Sequence, residues 1–207
     1  MNYTEYAYLW PPRPERAINK PMLGFYQNRG FVAQKKKNGT CTMIFGRGDQ
    51  VIFKTRHKDN NDGNHKLWTP QEEHVRFFQG EKNWNVFVAE LLHSKVAGGP
   101  KNELYIHDQI VRDGVQLVGE SFQSRQAALL AKFSGGRPED DQYRLAPKIT
   151  LAKNFVSGFT KLFETLKKED EGLVLKDRAA PLRACLKANS NSMWQVKCRI
   201  THANYSF

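Results

Sequence analysis

Cysteine is sparse in this sequence: Cys41, Cys185 and Cys198 stand far apart in 207 residues. No C-x-x-C pair is present to bind zinc or cycle as a dithiol, and an odd, scattered count argues against a disulfide framework. A reducing, cytoplasmic setting is the expectation. No apolar run approaches the roughly 18 residues of a membrane span, so no membrane partner is expected. The opening Met1-Asn2-Tyr3-Thr4-Glu5-Tyr6 lacks a charged leader followed by an apolar stretch and does not read as a signal peptide. There is no G-x-G-x-x-G, no internal repeat and no low-complexity tract. Acidic residues are the scarcer charge, 21 against 32 Lys and Arg, leaving a net +11. Such an excess favours polyanionic partners, because each phosphate neutralised releases condensed counterions.

What is present reads as folded. Apolar residues make up 40% of the chain and 13 Phe contribute to a 12% aromatic content, enough for a core. Trp10 to Pro21, with four prolines, reads as an extended lead-in, part of a segment 1–29 packed on the single domain expected for 1–207. Phe31 to Lys36, Thr40 to Phe45 and Val51 to Thr55 read as strands, joined by Lys37-Asn38-Gly39 and Gly46-Arg47-Gly48-Asp49 turns. Lys58 to Lys66 reads as a polar loop whose Gly63 falls one position early for a calcium site. Thr69-Pro70-Gln71-Glu72 predicts a helix start with Thr69 as cap. Trp84–Leu92 and Leu104–Val111 read as strands about the Gly98-Gly99-Pro100 turn, and Ser121–Phe133 as a helix. A polar loop is expected over 134–147. A longer amphipathic helix carrying Phe155, Phe159, Leu162, Phe163 and Leu166 follows, then strands over Gly172–Lys176 and Met193–Ile200. The irregular interleaving of strands and helices argues for α+β.

Lys36 closes an apolar strand three residues before Gly39, with Lys35 and Lys37 expected on the opposite face. A lysine nucleophile attacks as the neutral amine, although its free pKa is ~10.4. Nearby cations favour the neutral form, and Lys197 and Arg199 could supply them. Gly39, without a Cβ, would permit close approach of backbone and phosphate. Glu90 and Glu171, at strand ends in a basic chain, could hold a hard cation bridging a triphosphate.

Taken in order, these segments resemble the covalent nucleotidyltransferases: DNA ligases, RNA ligases and mRNA capping enzymes. Lys36-x-x-Gly39 is similar to their first motif, and Thr55-Arg56 to a short second one. Phe87-Val88-Ala89-Glu90-Leu91 is similar to the third. Tyr105-Ile106-His107-Asp108, with Arg125 on the following helix, resembles the ligase run of aromatic, Asp and hydrophobic residues. Glu171-Gly172-Leu173-Val174-Leu175-Lys176 and Trp194-Gln195-Val196-Lys197-Cys198-Arg199 resemble the fourth and fifth motifs. The whole is most like the adenylation domain of small viral or phage-type ATP-dependent DNA ligases.

The resemblance implies an antiparallel-sheet, ATP-grasp-like nucleotidyltransferase domain. The chain ends eight residues after Arg199, so no oligonucleotide-binding barrel is expected. It further implies Lys36 as the nucleophile that takes AMP from ATP. Gln34, Arg56, Glu90, Tyr105, His107, Lys176, Lys197 and Arg199 would form the nucleotide site, with Asn38, Gly39 and Thr40 supporting the lysine. Glu171 and Glu90 would hold Mg²⁺, with Mn²⁺ as a substitute, and Tyr105 or His107 would stack on adenine. The implied partner of a monomeric enzyme is nicked duplex DNA or a DNA/RNA hybrid. The segments 58–66 and 134–148 are the candidates for gripping it.

Two places depart from the DNA-ligase pattern: Asn38 stands where Asp is usual, and Cys41 where Arg is usual. Lys36-x-x-Gly39-Thr40 and Lys197-Cys198-Arg199 are closer to an RNA-ligase style. An RNA ligase, a capping-type guanylyltransferase and a non-catalytic nucleic-acid-binding protein are the alternatives to a DNA ligase.

Overall fold

A computed structural model describes residues 1–58, 65–92, 99–167, 169–183 and 191–200. In chain order these form β1 (Arg13–Ile18), a 3₁₀ turn (Lys20–Met22), α1 (Leu23–Asn28), β2 (Phe31–Lys37), β3 (Thr40–Arg47), β4 (Gln50–Lys58), β5 (His65–Leu67) and α2 (Glu72–Phe78). There follow β6 (Asn85–Leu92), β7 (Glu103–Arg112), β8 (Val115–Gln116), α3 (Phe122–Lys132), β9 (Arg137–Pro138), β10 (Gln142–Ala146), β11 (Ile149–Ala152), α4 (Phe159–Glu164), β12 (Asp170–Asp177) and β13 (Asn191–Arg199).

Among the described residues the strands make two sheets. The small one runs β1-β13-β12-β2; the large one runs β5-β4-β3-β6-β7-β11-β10-β9, with β8 paired to β7. The fold is α+β, but the sheets are mixed rather than antiparallel throughout: β1 runs parallel to β13 and β11 parallel to β7. Neither sheet closes into a barrel among the described residues.

Alternation along β2 explains how the small sheet positions chemistry. Ala33 faces an apolar layer with Leu173, Leu175, Val196 and Phe159, covered by α1 and α4. Its neighbours Gln34 and Lys36 therefore face the other way, toward the large sheet. That sheet is buried on both sides. One side packs Met43, Phe45, Trp84 and Val88 against Tyr3 and Leu9 of the N-terminal segment. The other packs Ile44, Phe53, Phe87 and Ile106 against Phe78 of α2 and Leu129 of α3. Full burial of each such side chain contributes about 1.5–3 kcal/mol, which fixes the two sheets about the space between them.

Four expectations are corrected. Segment 10–21 is more than an extended lead-in, since Arg13–Ile18 is a full strand of the small sheet. α2 starts two residues after Pro70, capped by Gln71 rather than Thr69. The buried His74 ring accepts the Gln71 amide through Nδ1 and so completes a capping box. The polar stretch 134–147 contains β9 and β10, whose residues are half-buried or exposed and so carry no alternation to read. Phe155 is not helical: its backbone exchanges two 2.9 Å hydrogen bonds with Ala33, and α4 begins only after Gly158, at φ 70°. The calcium-like run 59–63 and most of the 58–66 loop lie outside the described residues. No helix among the described residues is long and apolar enough to cross a membrane.

Candidate active site

A cavity of about 300 Å³ lies between the two sheets, and Gln34, Lys36, Gly39, Thr40, Arg56, Glu90, Tyr105, His107, Glu171, Lys176, Lys197 and Arg199 all line it. Asn38 is not among its lining residues; its amide donates to the Glu169 carbonyl instead (3.3 Å). The convergence follows from register. In the small sheet Lys36, Gly172 and Arg199 form one row across β2, β12 and β13, and Gln34, Val174 and Lys197 the next. In the large sheet Cys41, Glu90 and Tyr105 form a row across β3, β6 and β7.

The lysine triplet resolves by alternation. Lys35 and Lys37 are clamped on the far side: Lys35 Nζ lies 2.7 Å from Asp141 and 3.1 Å from Asp170, and Lys37 Nζ 2.7 Å from Asp170. Burial alone would push the Lys35 pKa down. Its hydrogen bond to Asp141 and the charge of Asp170 outweigh that and hold it above its ordinary value. All three lysines line the cavity, but Lys36 alone meets one of its lining carboxylates: Glu171 holds its ammonium in an ion pair.

A bulge makes that pair. Asp170 is opposite Lys37 and Gly172 opposite Lys36, so Glu171 is the extra residue of β12. Asp170 and Glu171 thus point to opposite sides, one to Lys35 and Lys37 and one to Lys36. The bulge needs glycine next: Gly172 has φ 146°, and a Cβ there would sit 1.9 Å from the Cys198 carbonyl oxygen. Gly39 is also required by the packing of the backbone. A Cβ on it would lie 2.4 Å from the Leu91 carbonyl oxygen and 2.7 Å from Glu90 Cγ, so it lets β2 and β3 turn tightly against β6.

At the β7 end, His107 is itself a bulge, left between the Ile106–Ala89 and Asp108–Val88 pairs. Its carbonyl accepts from Gln126 Nε2 (3.1 Å), Lys176 Nζ (3.2 Å) and, more distantly, Gln34 Nε2 (3.5 Å). Gln34 Nε2 also donates to Asn154 Oδ1 (2.8 Å), and Asn154 Nδ2 to Gln126 Oε1 (3.2 Å). This ring of amides fixes the orientation of Gln34, because both partners of its nitrogen are acceptors. Burial and the Lys176 charge lower the His107 pKa to about 3, so the ring is neutral. Tyr105 is 2% exposed and sits beneath the Lys37 ammonium, 5.6 Å from its ring centre.

Beneath this end Arg125, fully buried, forms a two-bonded pair with Asp108 (Nε to Oδ1 3.1 Å, Nη2 to Oδ2 2.9 Å). Its guanidinium lies 5.5 Å and 5.3 Å from the Phe122 and Trp194 ring centres. Lys176 Nζ lies 4.6 Å over Phe122, and burial pushes its pKa down to about 8. Lys176 therefore braces the His107 end of the cavity. It stands at the Val32 level of the small sheet, four residues along β2 from Lys36.

The opposite end is crowded with cations. Burial, then Arg199, Lys36, Arg13 and Arg56, lower the Lys197 pKa. Pro12, Arg13, Pro14, His57 and Gln195 line the cavity too, and the sequence reading missed them; no spacing marks them. Glu90 and Glu171 are the carboxylates of the lining. Mg²⁺ is commonly held by one or two carboxylates together with substrate phosphates. That donor set fits a metal arriving with a nucleotide. Among the described residues no three acidic, His or Cys side chains gather into a preformed metal cage.

No protein-family model and no curated protein sequence matches the chain. Solved structures do. The ligase domain of M. tuberculosis LigD superimposes with a TM-score of 0.61 at 15% identity, over 92% of this chain and 59% of that one. Mycobacterial DNA ligase D complexed with ATP and MES gives 0.60 at 15% identity, over 92% and 60%. A Lig E DNA ligase, from a study of DNA binding with a minimal scaffold, gives 0.55 at 14% identity, over 95% and 70%. The chain thus spans about three-fifths of the two LigD structures. Its fold is the one shared by these DNA ligase structures.

Proposed function

We propose that the protein is an ATP-dependent DNA ligase that seals 5′-phosphate/3′-hydroxyl nicks through an AMP carried on Lys36. One observation carries the reading. Of three consecutive lysines, only Lys36 is free of the Asp141–Asp170 clamp, and it faces a cavity lined by the nucleotide set implied by the sequence, Asn38 excepted. The fold shared with DNA ligases, one of them complexed with ATP, supports it.

In the first step one Lys36 ammonium proton passes through Glu171, its partner in the ion pair, to solvent. The neutral Nζ then bonds to the α-phosphorus of ATP as the bond to pyrophosphate breaks, and its second proton leaves to solvent. AMP then moves to the 5′-phosphate of the broken strand, and the 3′-hydroxyl displaces AMP to close the backbone. Glu171 and Glu90 would hold Mg²⁺, which supplies charge neutralisation on the phosphates. Lys197 and Arg199, both on β13 and so two strands from Lys36, face the phosphoryl group, where fixed cations stabilise developing charge. Gln34, its nitrogen engaged, turns its oxygen to the base and accepts from the amino group at position 6, where guanine carries a carbonyl oxygen. That favours adenine over guanine, and so a ligase over a capping enzyme. Neutral His107 is the ring that stacks on the base.

DNA is the polynucleotide favoured, with some tolerance for ribose, because Asn38 and Cys41 depart from the DNA-ligase pattern. The test is a panel of nicks with DNA or RNA on each side and on the template, run over a salt series. Sealing of DNA nicks should fall steeply with salt, since grip rests on Lys and Arg at phosphates. Joining of single-stranded RNA without sealing of nicked DNA would make the protein an RNA ligase instead.

A further inference from the structure

Arg13 belongs to none of the motifs in the sequence, yet it lines the cavity. It opens β1 between Pro12 and Pro14, two lining residues whose rings hold the backbone extended. The chain before it is anchored to the large sheet: Leu9 is 4% exposed in that core, and the Tyr8 hydroxyl donates to the Thr55 carbonyl (3.4 Å). The chain after it pairs with β13 of the small sheet. Arg13 is thus fixed where the N-terminal segment crosses from one sheet to the other, at the end of the cavity that receives Arg56 from β4.

Its neighbours define its place. Arg13, Arg56, Lys36 and Arg199 all act on the Lys197 ammonium, and Arg13 and Arg56 both act on the Cys41 thiol. Cys41 is the position at which the DNA-ligase pattern carries arginine. We propose that Arg13 is a phosphate-binding residue of this cavity, delivered by the N-terminal strand in place of the cation that the ligase pattern carries at position 41. The proposal rests on the reading of the cavity as a nucleotide site. Arg13, Lys36, Arg56, Lys197 and Arg199 face the two carboxylates Glu90 and Glu171. Crowding of like charge is relieved by an arriving anion. A guanidinium meets phosphate with a planar, two-bonded fork. The phosphate is either the pyrophosphate end of ATP or the 5′-phosphate of the strand.

The test compares the full chain with Arg13→Ala and with Arg13→Ala/Cys41→Arg. Three rates are read: adenylylation against ATP concentration, removal of AMP by added pyrophosphate, and AMP transfer from adenylylated protein to a 5′-phosphorylated nick. Thermal unfolding is followed alongside. Arg13→Ala should weaken at least one arm by about tenfold, as expected for loss of one charge-assisted contact, with unfolding unchanged. Cys41→Arg should recover part of the loss. Loss in the ATP and pyrophosphate arms assigns Arg13 to the nucleotide; loss in transfer alone assigns it to the strand. All three rates within twofold of wild type, or a loss that tracks a lowered unfolding temperature and resists Cys41→Arg, would overturn the proposal while leaving the nucleotide site standing. A wild-type chain that takes no AMP would overturn both.

Discussion

Lys36 and Glu171 meet because the register between β2 and β12 breaks between them: Gly172, not Glu171, stands opposite Lys36, and the displaced carboxylate turns onto the lysine ammonium. Two neighbours in sequence, Asp170 and Glu171, thereby serve lysines on opposite faces of one strand.

Replacing Glu171 by Gln keeps the shape and removes the charge. Adenylylation should slow by about a hundredfold, the lower range for loss of a general acid–base group, and need more Mg²⁺. The variant should unfold at the wild-type temperature. A wild-type rate and a wild-type Mg²⁺ titration would make Glu171 a bystander.

The Asp108–Arg125 pair predicts a stability effect. Arg125→Ala leaves a buried carboxylate without its partner and should cost about 3–5 kcal/mol in urea unfolding, while Asp108→Ala/Arg125→Ala should cost less than the two single changes combined. Burial alone would raise the Asp108 pKa, but Arg125 outweighs it and holds it below the ordinary carboxylate value. The pair's contribution is therefore complete above about pH 4, where the unfolded carboxyl titrates. It is lost as pH falls through the lowered folded value. A gap between wild type and double variant that shrank on raising the pH from 5 to 8 would contradict this.

Gln34 tests base selection. Gln34→Leu keeps bulk, removes the acceptor and opens the amide ring with Asn154 and Gln126. The ATP concentration for half-maximal adenylylation should rise about tenfold, one hydrogen bond's worth near 1.4 kcal/mol, and the preference for ATP over GTP should shrink. Unchanged preference would place the base elsewhere.

Much of this was legible in the sequence. The strands β2, β3 and β4 show themselves through Asn38-Gly39 and Gly46-Arg47-Gly48, and the candidate set through its order along the chain. They are not one antiparallel meander, however: of the three only β3 and β4 pair, and the turn at Asn38-Gly39 carries the chain from the small sheet to the large one. What escaped was set by contacts distant in sequence. β10 carries no alternation because its residues are half-buried; it is held by β11, whose own line is buried Ile149, Thr150, Leu151 and Ala152. Phe155 sits on the right periodicity for a helix, yet its backbone is taken by Ala33. Glycine at 39 is demanded by the backbone of β6, and Arg13 reaches the cavity because the N-terminal segment crosses from the large sheet to the small one at the start of β1. Apart from β11, which follows β10 directly, none of these partners is a neighbour in the chain.

The most direct test is the intact mass of the purified protein, denatured after incubation with and without ATP and Mg²⁺. Wild type should gain the mass of one adenylyl group, removable by pyrophosphate, and Lys36→Ala should gain nothing while unfolding as wild type does. An adenylyl group retained by Lys36→Ala, or a wild-type mass untouched by ATP, would contradict the assignment of Lys36 as the residue that carries AMP.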